Sequence, residues 1–153
     1  MTKEPVIAII LPCFNEELAL PKTISVLLKI LDKMVADKLV AATSYILCCD
    51  DGSIDETWTL INKFHICDNR VKGISLSHNQ GHQYALYAGL MEAKDNCDAA
   101  ISIDADLQDN PDAIQQMVNE YVNGKEIVYG VRSNRTADSW FKRTTAHVFY
   151  KTQ

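Results

Sequence analysis

The sequence predicts an α/β fold, a mostly parallel central sheet with helices on both faces. Three observations lead there. Short apolar runs alternate with segments of helical period along the whole chain. Each run ends in a polar cluster, as strands of an open α/β sheet do at their carboxyl ends. The 153 residues, 47% hydrophobic and 23% charged, suit one compact domain with a real core.

Val6 to Leu11 is a continuous apolar run closed by Pro12, the pattern of a strand buried on both faces. Pro21 suits a first helical position, and Ile24, Leu27, Leu28, Leu31 and Val35 then recur at helical spacing to about Lys38. Tyr45 to Cys49 is the second strand, turned by Asp50-Asp51-Gly52. Ser53 and Glu56 have the spacing of a capping box for a helix through about Ile66. Val71 to Leu76 is the third strand, and Ala85, Ala88, Gly89 and Ala93 form a small-residue helix that can press closely on a sheet. Ala99 to Ile103 is the fourth strand. Asn110 and Pro111 open a helix with Ile114, Met117, Val118 and Tyr121 on one face, and Gly124 ends it. Ile127 to Val131 completes a βαβαβαβαβ order as a fifth strand. A last helical pattern, about Ala137 to Tyr150, has no Gly or Pro stop, so residues 1–153 read as a single domain cut short at its carboxyl end.

The net charge of −5 is uneven. From Arg132 onward, five basic residues and one acid give +4, leaving −9 on the rest. An acidic body with a basic tail argues against nucleic acid as a partner and leaves anionic lipid or phosphate open. The opening Met-Thr-Lys-Glu-Pro is no signal peptide, and no stretch approaches the ~20 apolar residues of a membrane span, so the chain is expected to be soluble. Five cysteines without a C-x-x-C pair encode neither a zinc site nor a redox motif and fit a reducing cytosol.

The polar clusters at the strand ends are Asn15-Glu16, Asp50-Asp51, Asn79, Asp104 to Asp106, and Arg132. Strand ends are polar in any protein, which accounts for one such cluster but poorly for five converging ones. Asp104 and Asp106 are two apart, so on an extended chain both carboxylates face one side, with Gln108 able to join them. Two carboxylates and an amide oxygen suit Mg²⁺ or Mn²⁺ with positions left for phosphate oxygens. The plainer reading is an acidic turn before a helix N-terminus. Asp51 can accept a nucleobase N–H, Phe14 can pack on a base or ribose, and Glu16 can hold loop or sugar hydroxyls. Turn chemistry and core packing are their ordinary readings, and turn chemistry accounts for Asp50. His78 and His82 are four apart without H-E-x-x-H and read as a polar helix start. The absence of G-x-x-x-x-G-K-[ST] and G-x-G-x-x-G counts against phosphate-loop and dinucleotide-binding proteins.

Together, P-C-F-N-E (12–16), C-D-D-G-S-I-D (49–55), H-N-Q-G (78–81), D-A-D-L-Q (104–108) and G-V-R (130–132) resemble the family-2 glycosyltransferases of GT-A fold. The resemblance is nearest to the dolichyl-phosphate mannosyltransferase and bactoprenol glucosyltransferase group, and the tail 130–150 is similar to the bactoprenol branch. It implies that Pro12, Phe14, Glu16, Cys49 and Asp51 line a nucleoside pocket, with Asn79 also on the donor. It assigns metal and donor diphosphate to Asp104, Ala105, Asp106 and Gln108, with Asp104, Asp106 and Gln108 as metal ligands and Asp106 as the residue nearest catalysis. Arg132 would reach the donor from the fifth strand. His78 stands where relatives often carry Arg. An acceptor loop, a further acidic residue and membrane helices, usual in relatives, are not in this sequence.

The reaction implied is inverting, metal-assisted hexose transfer from a nucleotide sugar, UDP-glucose first and GDP-mannose next, to a polyprenyl phosphate. Such a phosphate is largely dianionic at neutral pH, with a second pKa near ~6, and needs little help from a general base. The chain is expected to bind donor with little turnover. The full-length protein is expected at the cytoplasmic face of a membrane, its oligomeric state left open, a homo-oligomer included. The rival enzyme class is a nucleotidyltransferase, disfavoured because Pro12 to Glu17 is acidic and Gly-free. The rival non-enzyme is a nucleotide-binding or docking module.

Overall fold

The computed structural model describes residues 3–107 and 110–130. Four strands, β1 (Ile7–Cys13), β2 (Tyr45–Asp50), β3 (Val71–Ser75) and β4 (Ala99–Ser102), form one sheet in the order β3-β2-β1-β4, every pairing parallel. Helices α1 (Leu20–Ala36), α2 (Thr57–Cys67), α3 (His82–Ala93) and α4 (Ala113–Val122) connect or follow them.

The two-residue period of the strands divides the core into two layers. Ile7, Ile9, Leu11, Ile46 and Cys48 pack against Leu20, Ile24, Leu27, Leu31 and Met34 of α1, Ile61 of α2, and Ile114 and Val118 of α4. Ala8, Ile10, Tyr45, Leu47 and Cys49 face the opposite way, onto Ala85 and Ala93 of α3. Helix α3 presses on the sheet through Gly89: a Cβ there would overlap Cys49 Sγ and approach Ile10 Cγ2 to 2.7 Å.

Three expectations about elements are corrected. Ile127 to Gly130 form no strand: they run past the β4 edge across a groove of about 280 Å³, with Ile127 and Tyr129 exposed. An apolar run becomes a strand only by ladder hydrogen bonds, and these residues make none; Val131 lies outside the described residues, as do Gln108, Arg132 and the tail from 137. The Ser53–Glu56 capping box is not formed, because Ser53 Oγ accepts the Asn15 N–H instead (2.9 Å) and α2 starts at Thr57. Asp104 to Leu107 is a turn, not an extended strand end, with Leu107 at φ 53° and its N–H directed at the Asp104 carbonyl (3.5 Å). The two aspartates therefore reach one cleft by a turn rather than by strand alternation.

Candidate functional site

In this topology β1 sends its connection toward β2 on one side while β4 joins it on the other. That reversal opens a crevice at the carboxyl ends of β1 and β4, where open α/β sheets bind ligands. A cleft of about 450 Å³ occupies the place. It is lined by Pro12, Cys13, Phe14 and Glu16 from the end of β1, Asp51 after β2, Asn79 and Gly81 before α3, His82 and Ala85 on α3, and Asp104, Ala105 and Asp106 after β4.

The β1–α1 loop is held by the loop after β2. Asn15 N–H donates to Ser53 Oγ, Ile54 N–H to Asn15 Oδ1 (3.0 Å), Glu16 N–H to Thr57 Oγ1 (2.8 Å), and Glu17 N–H to Asp55 Oδ2 (3.2 Å). Asn15 takes a left-handed φ of 53°, a region asparagine enters more readily than most residues, and there its amide oxygen receives the Ile54 N–H. This lacing sets Phe14, 43% exposed, at the cleft wall with Glu16 beside it.

Asp51 is buried, and both its oxygens are engaged. Oδ1 accepts Gln80 N–H (2.7 Å) and Oδ2 accepts Gly81 N–H (2.9 Å), so the carboxylate clasps the loop leading into α3. An ionised carboxylate has about four lone-pair sites, so a ligand N–H can still be received. Gly52 follows at φ +68°, and a Cβ on it would come within 2.6 Å of the His78 backbone carbon, so only glycine lets the two loops meet. Asp50 performs the turn role expected of it: Ser53 N–H and Ser75 Oγ–H donate to its two oxygens (3.3 and 3.0 Å).

The Asp104–Asp106 turn is tied to α1. Thr23 Oγ1, buried, donates to the Ala105 carbonyl at 2.5 Å, and Ala105 is itself buried, which leaves Asp104 and Asp106 facing outward on either side. His82, first residue of α3, brings Nε2 to 3.7 Å from Asp104 Oδ1. Glu16 sits in the field of this turn. Burial first, then the charges of Asp106, Asp55 and Asp104, push its carboxyl above its ordinary value of 4.5.

Of the residues anticipated from sequence, Pro12, Phe14, Glu16, Asp51, Asn79, Asp104, Ala105 and Asp106 share the one cleft. Cys49 does not. It lies fully buried beneath Gly89, its thiol pushed up to about 12 by burial and by the neighbouring Cys13. Strand parity turns it toward α3 rather than toward the crevice. His78 and His82 do not share a helix: His78 is in the preceding loop against Ser77 and Gln80. Gly81, His82 and Thr23 were not anticipated. The H-N-Q-G run just before α3 held a signal for the first two, since a helix N-terminus after a strand points at the crevice. Nothing local marks Thr23.

The donor chemistry can be tested against a divalent cation. Among the described residues no three His, Cys, Asp or Glu side chains form a closed ligand cage. The turn instead offers two carboxylates at the cleft wall, which suits an ion that keeps waters and completes its shell with phosphate oxygens. Asp104 and Asp106 fit such an ion. A caged structural ion is not supported.

Comparison with known proteins agrees with this architecture. The chain is 49% identical over 148 residues to an uncharacterized glycosyltransferase, YkoT, of Bacillus subtilis (strain 168), covering 97% of this chain and 44% of the relative. It is 37% identical over 147 residues to a prophage bactoprenol glucosyl transferase homolog of Escherichia coli (strain K12), covering 95% and 45%. The chain thus spans less than half the length of the curated relatives it matches. Among solved structures, S. aureus TarS 1-349 shares the fold, with a TM-score of 0.53 at 16% identity, over 84% of this chain and 40% of that one. The same protein in complex with UDP gives a TM-score of 0.51, with the same identity and coverage. The profile of glycosyl transferase family 2 matches residues 8–153, and with these identities the chain, an α/β domain of GT-A type, belongs to that family.

Proposed function

We propose that the cleft at the β1–β4 crevice is the donor site of a glycosyltransferase that moves a hexose from a nucleoside diphosphate sugar to a polyprenyl phosphate, with Mg²⁺ or Mn²⁺ between protein and diphosphate. One observation carries the reading. Glu16, Asp51, Asp104 and Asp106 line a single cleft, where the Glu16 carboxyl, partly desolvated, already feels the charges of Asp106 and Asp104. A diphosphate entering so acidic a site is repelled unless a cation comes with it.

In this reading Phe14 and Pro12 offer an apolar wall to the base or ribose. Asp51 accepts a base N–H with the lone pairs that the 80–81 loop leaves unused. Asp104 and Asp106 hold the cation, and Asn79 at the cleft rim offers its amide to donor hydroxyls. When bound, the cation neutralises charge that builds on the departing diphosphate, the main electrostatic need of such a displacement. The similarity to bactoprenol glucosyl transferases supports glucose and a polyprenyl phosphate over other pairs, with GDP-mannose second. Gln108 as a third ligand and Arg132 as a further donor contact complete the proposal from sequence.

Calorimetry with UDP, UDP-glucose, GDP and GDP-mannose, with Mn²⁺ and with EDTA, tests it. Metal-dependent binding of one nucleotide series is expected, lost in Asp104→Asn and in Asp106→Asn. Nucleotide binding that is indifferent to EDTA and to both substitutions overturns the reading and favours a docking module.

A further inference from the structure

Among the described residues lining the cleft, the acids number four and the side chains able to carry positive charge number one, His82. Its place is built rather than incidental. The buried Asp51 carboxylate clasps Gln80 and Gly81 N–H, and the Gly81 carbonyl in turn accepts the N–H of Tyr84 (3.0 Å) and Ala85 (3.2 Å), so the first turn of α3 is fixed at both ends. Ala85 is fully buried against the sheet one turn on, which leaves His82 at the cleft wall rather than in the core. From there Nε2 reaches across the crevice to 3.7 Å from Asp104 Oδ1. The Asp104–Asp106 turn is held from its other side by Thr23 through the Ala105 carbonyl.

The geometry points to His82 as a positioning residue for Asp104: an Nε2–H donor that orients the carboxylate so that its remaining lone pairs face the cation. The inference rests on the donor-site reading above. It follows from a general property of metal sites, where ligating carboxylates are themselves hydrogen-bonded and loss of such an outer partner weakens the hold on the ion. Asp104 is about half exposed, and His82 is the side chain set against it. A shift of about half an ångström between the two residues converts the 3.7 Å approach into a hydrogen bond. Asp106, on the far side of Ala105, is not reached by this contact.

Three forms of the chain separate the possibilities: wild type, His82→Ala and His82→Gln, the last keeping an N–H donor on a side chain of similar reach. Mn²⁺ affinity is read by electron paramagnetic resonance of free Mn²⁺ at saturating UDP, and UDP affinity by calorimetry at saturating Mn²⁺. Thermal midpoints confirm that each variant is folded. Wild type is expected to bind Mn²⁺, His82→Ala to bind it about 10–100-fold more weakly, and His82→Gln to recover to within a few-fold. Mn²⁺ binding by His82→Ala within twofold of wild type, or equal loss in His82→Gln, overturns the positioning role while leaving the donor site standing. An equal loss of UDP affinity in His82→Ala at saturating Mn²⁺ overturns it too, because the ring would then touch the nucleotide directly. Failure of wild type itself to take up Mn²⁺ with UDP sinks the donor-site reading instead.

Discussion

Thr23→Val tests whether the aspartate turn is held from outside the cleft. The two side chains are nearly the same shape, so the substitution removes one hydroxyl without opening a cavity. That hydroxyl donates at 2.5 Å to the Ala105 carbonyl, with Thr23 and Ala105 1% and 3% exposed. Taking a donor from a buried carbonyl costs about 1–3 kcal/mol. The added methyl contact recovers a fraction of a kilocalorie, leaving a net loss of about 1–2 kcal/mol. At about 2–4 °C per kcal/mol for a chain of this size, the thermal midpoint should fall by about 2–8 °C. The turn that presents Asp104 and Asp106 also loosens, so Mn²⁺-dependent UDP affinity should fall with stability. Thr23→Ser keeps the hydroxyl and should retain affinity despite losing a buried methyl. Urea unfolding and calorimetry on the two variants give both numbers. A Thr23→Val protein within about 0.5 kcal/mol of wild type, with unchanged UDP affinity, refutes the argument that α1 positions the turn.

Gly52→Ala should cost at least about 2 kcal/mol, combining a left-handed φ of +68° with a Cβ 2.6 Å from the His78 backbone; an unchanged urea midpoint would show that the loops part freely. Gly89→Ala gains about 1 kcal/mol of helix propensity but drives a methyl onto Cys49 Sγ and to 2.7 Å from Ile10 Cγ2. Overpacking of about 1–3 kcal/mol should win, and a stabilised variant would show that α3 can lift off the sheet. The Glu16 carboxyl, followed by carbon NMR, should titrate above 4.5 and move down in Asp106→Asn, since burial and then Asp106 raise it. A folded-state pKa above the unfolded one means the native protein keeps a proton that the unfolded chain has lost. Stability from this group therefore falls as pH rises through that window. Glu16→Gln should abolish that part of the fall, and identical pH profiles for wild type and variant would count against it.

What sequence alone decided is what local period and order can carry. The apolar run ending at Pro12 reads as a doubly buried strand and is one, with every residue of β1 buried. The spacing of Ile24, Leu27 and Leu31 turns those side chains into the α1 core face, and the small residues Ala85, Gly89 and Ala93 mark the face by which α3 presses on the sheet. Because the strands are parallel, their polar ends must gather on one side, so most of the residues that line the cleft could be named before any coordinates.

Tertiary structure decided the rest, since the deciding partners are far apart in sequence. Whether Cys49 faces the cleft depends on which side of β2 meets α3, and whether residues 127–130 form a strand depends on a ladder to β4. Ser53 could cap its own helix or receive Asn15 N–H, and packing of the two loops chose the latter. The Asp51 clasp on Gln80 and Gly81, the His82 approach to Asp104 and the Thr23 bond to Ala105 join residues 22 to 82 positions apart. Hydrogen bonds and charges act through space, over a few ångströms, and only the folded chain sets those distances.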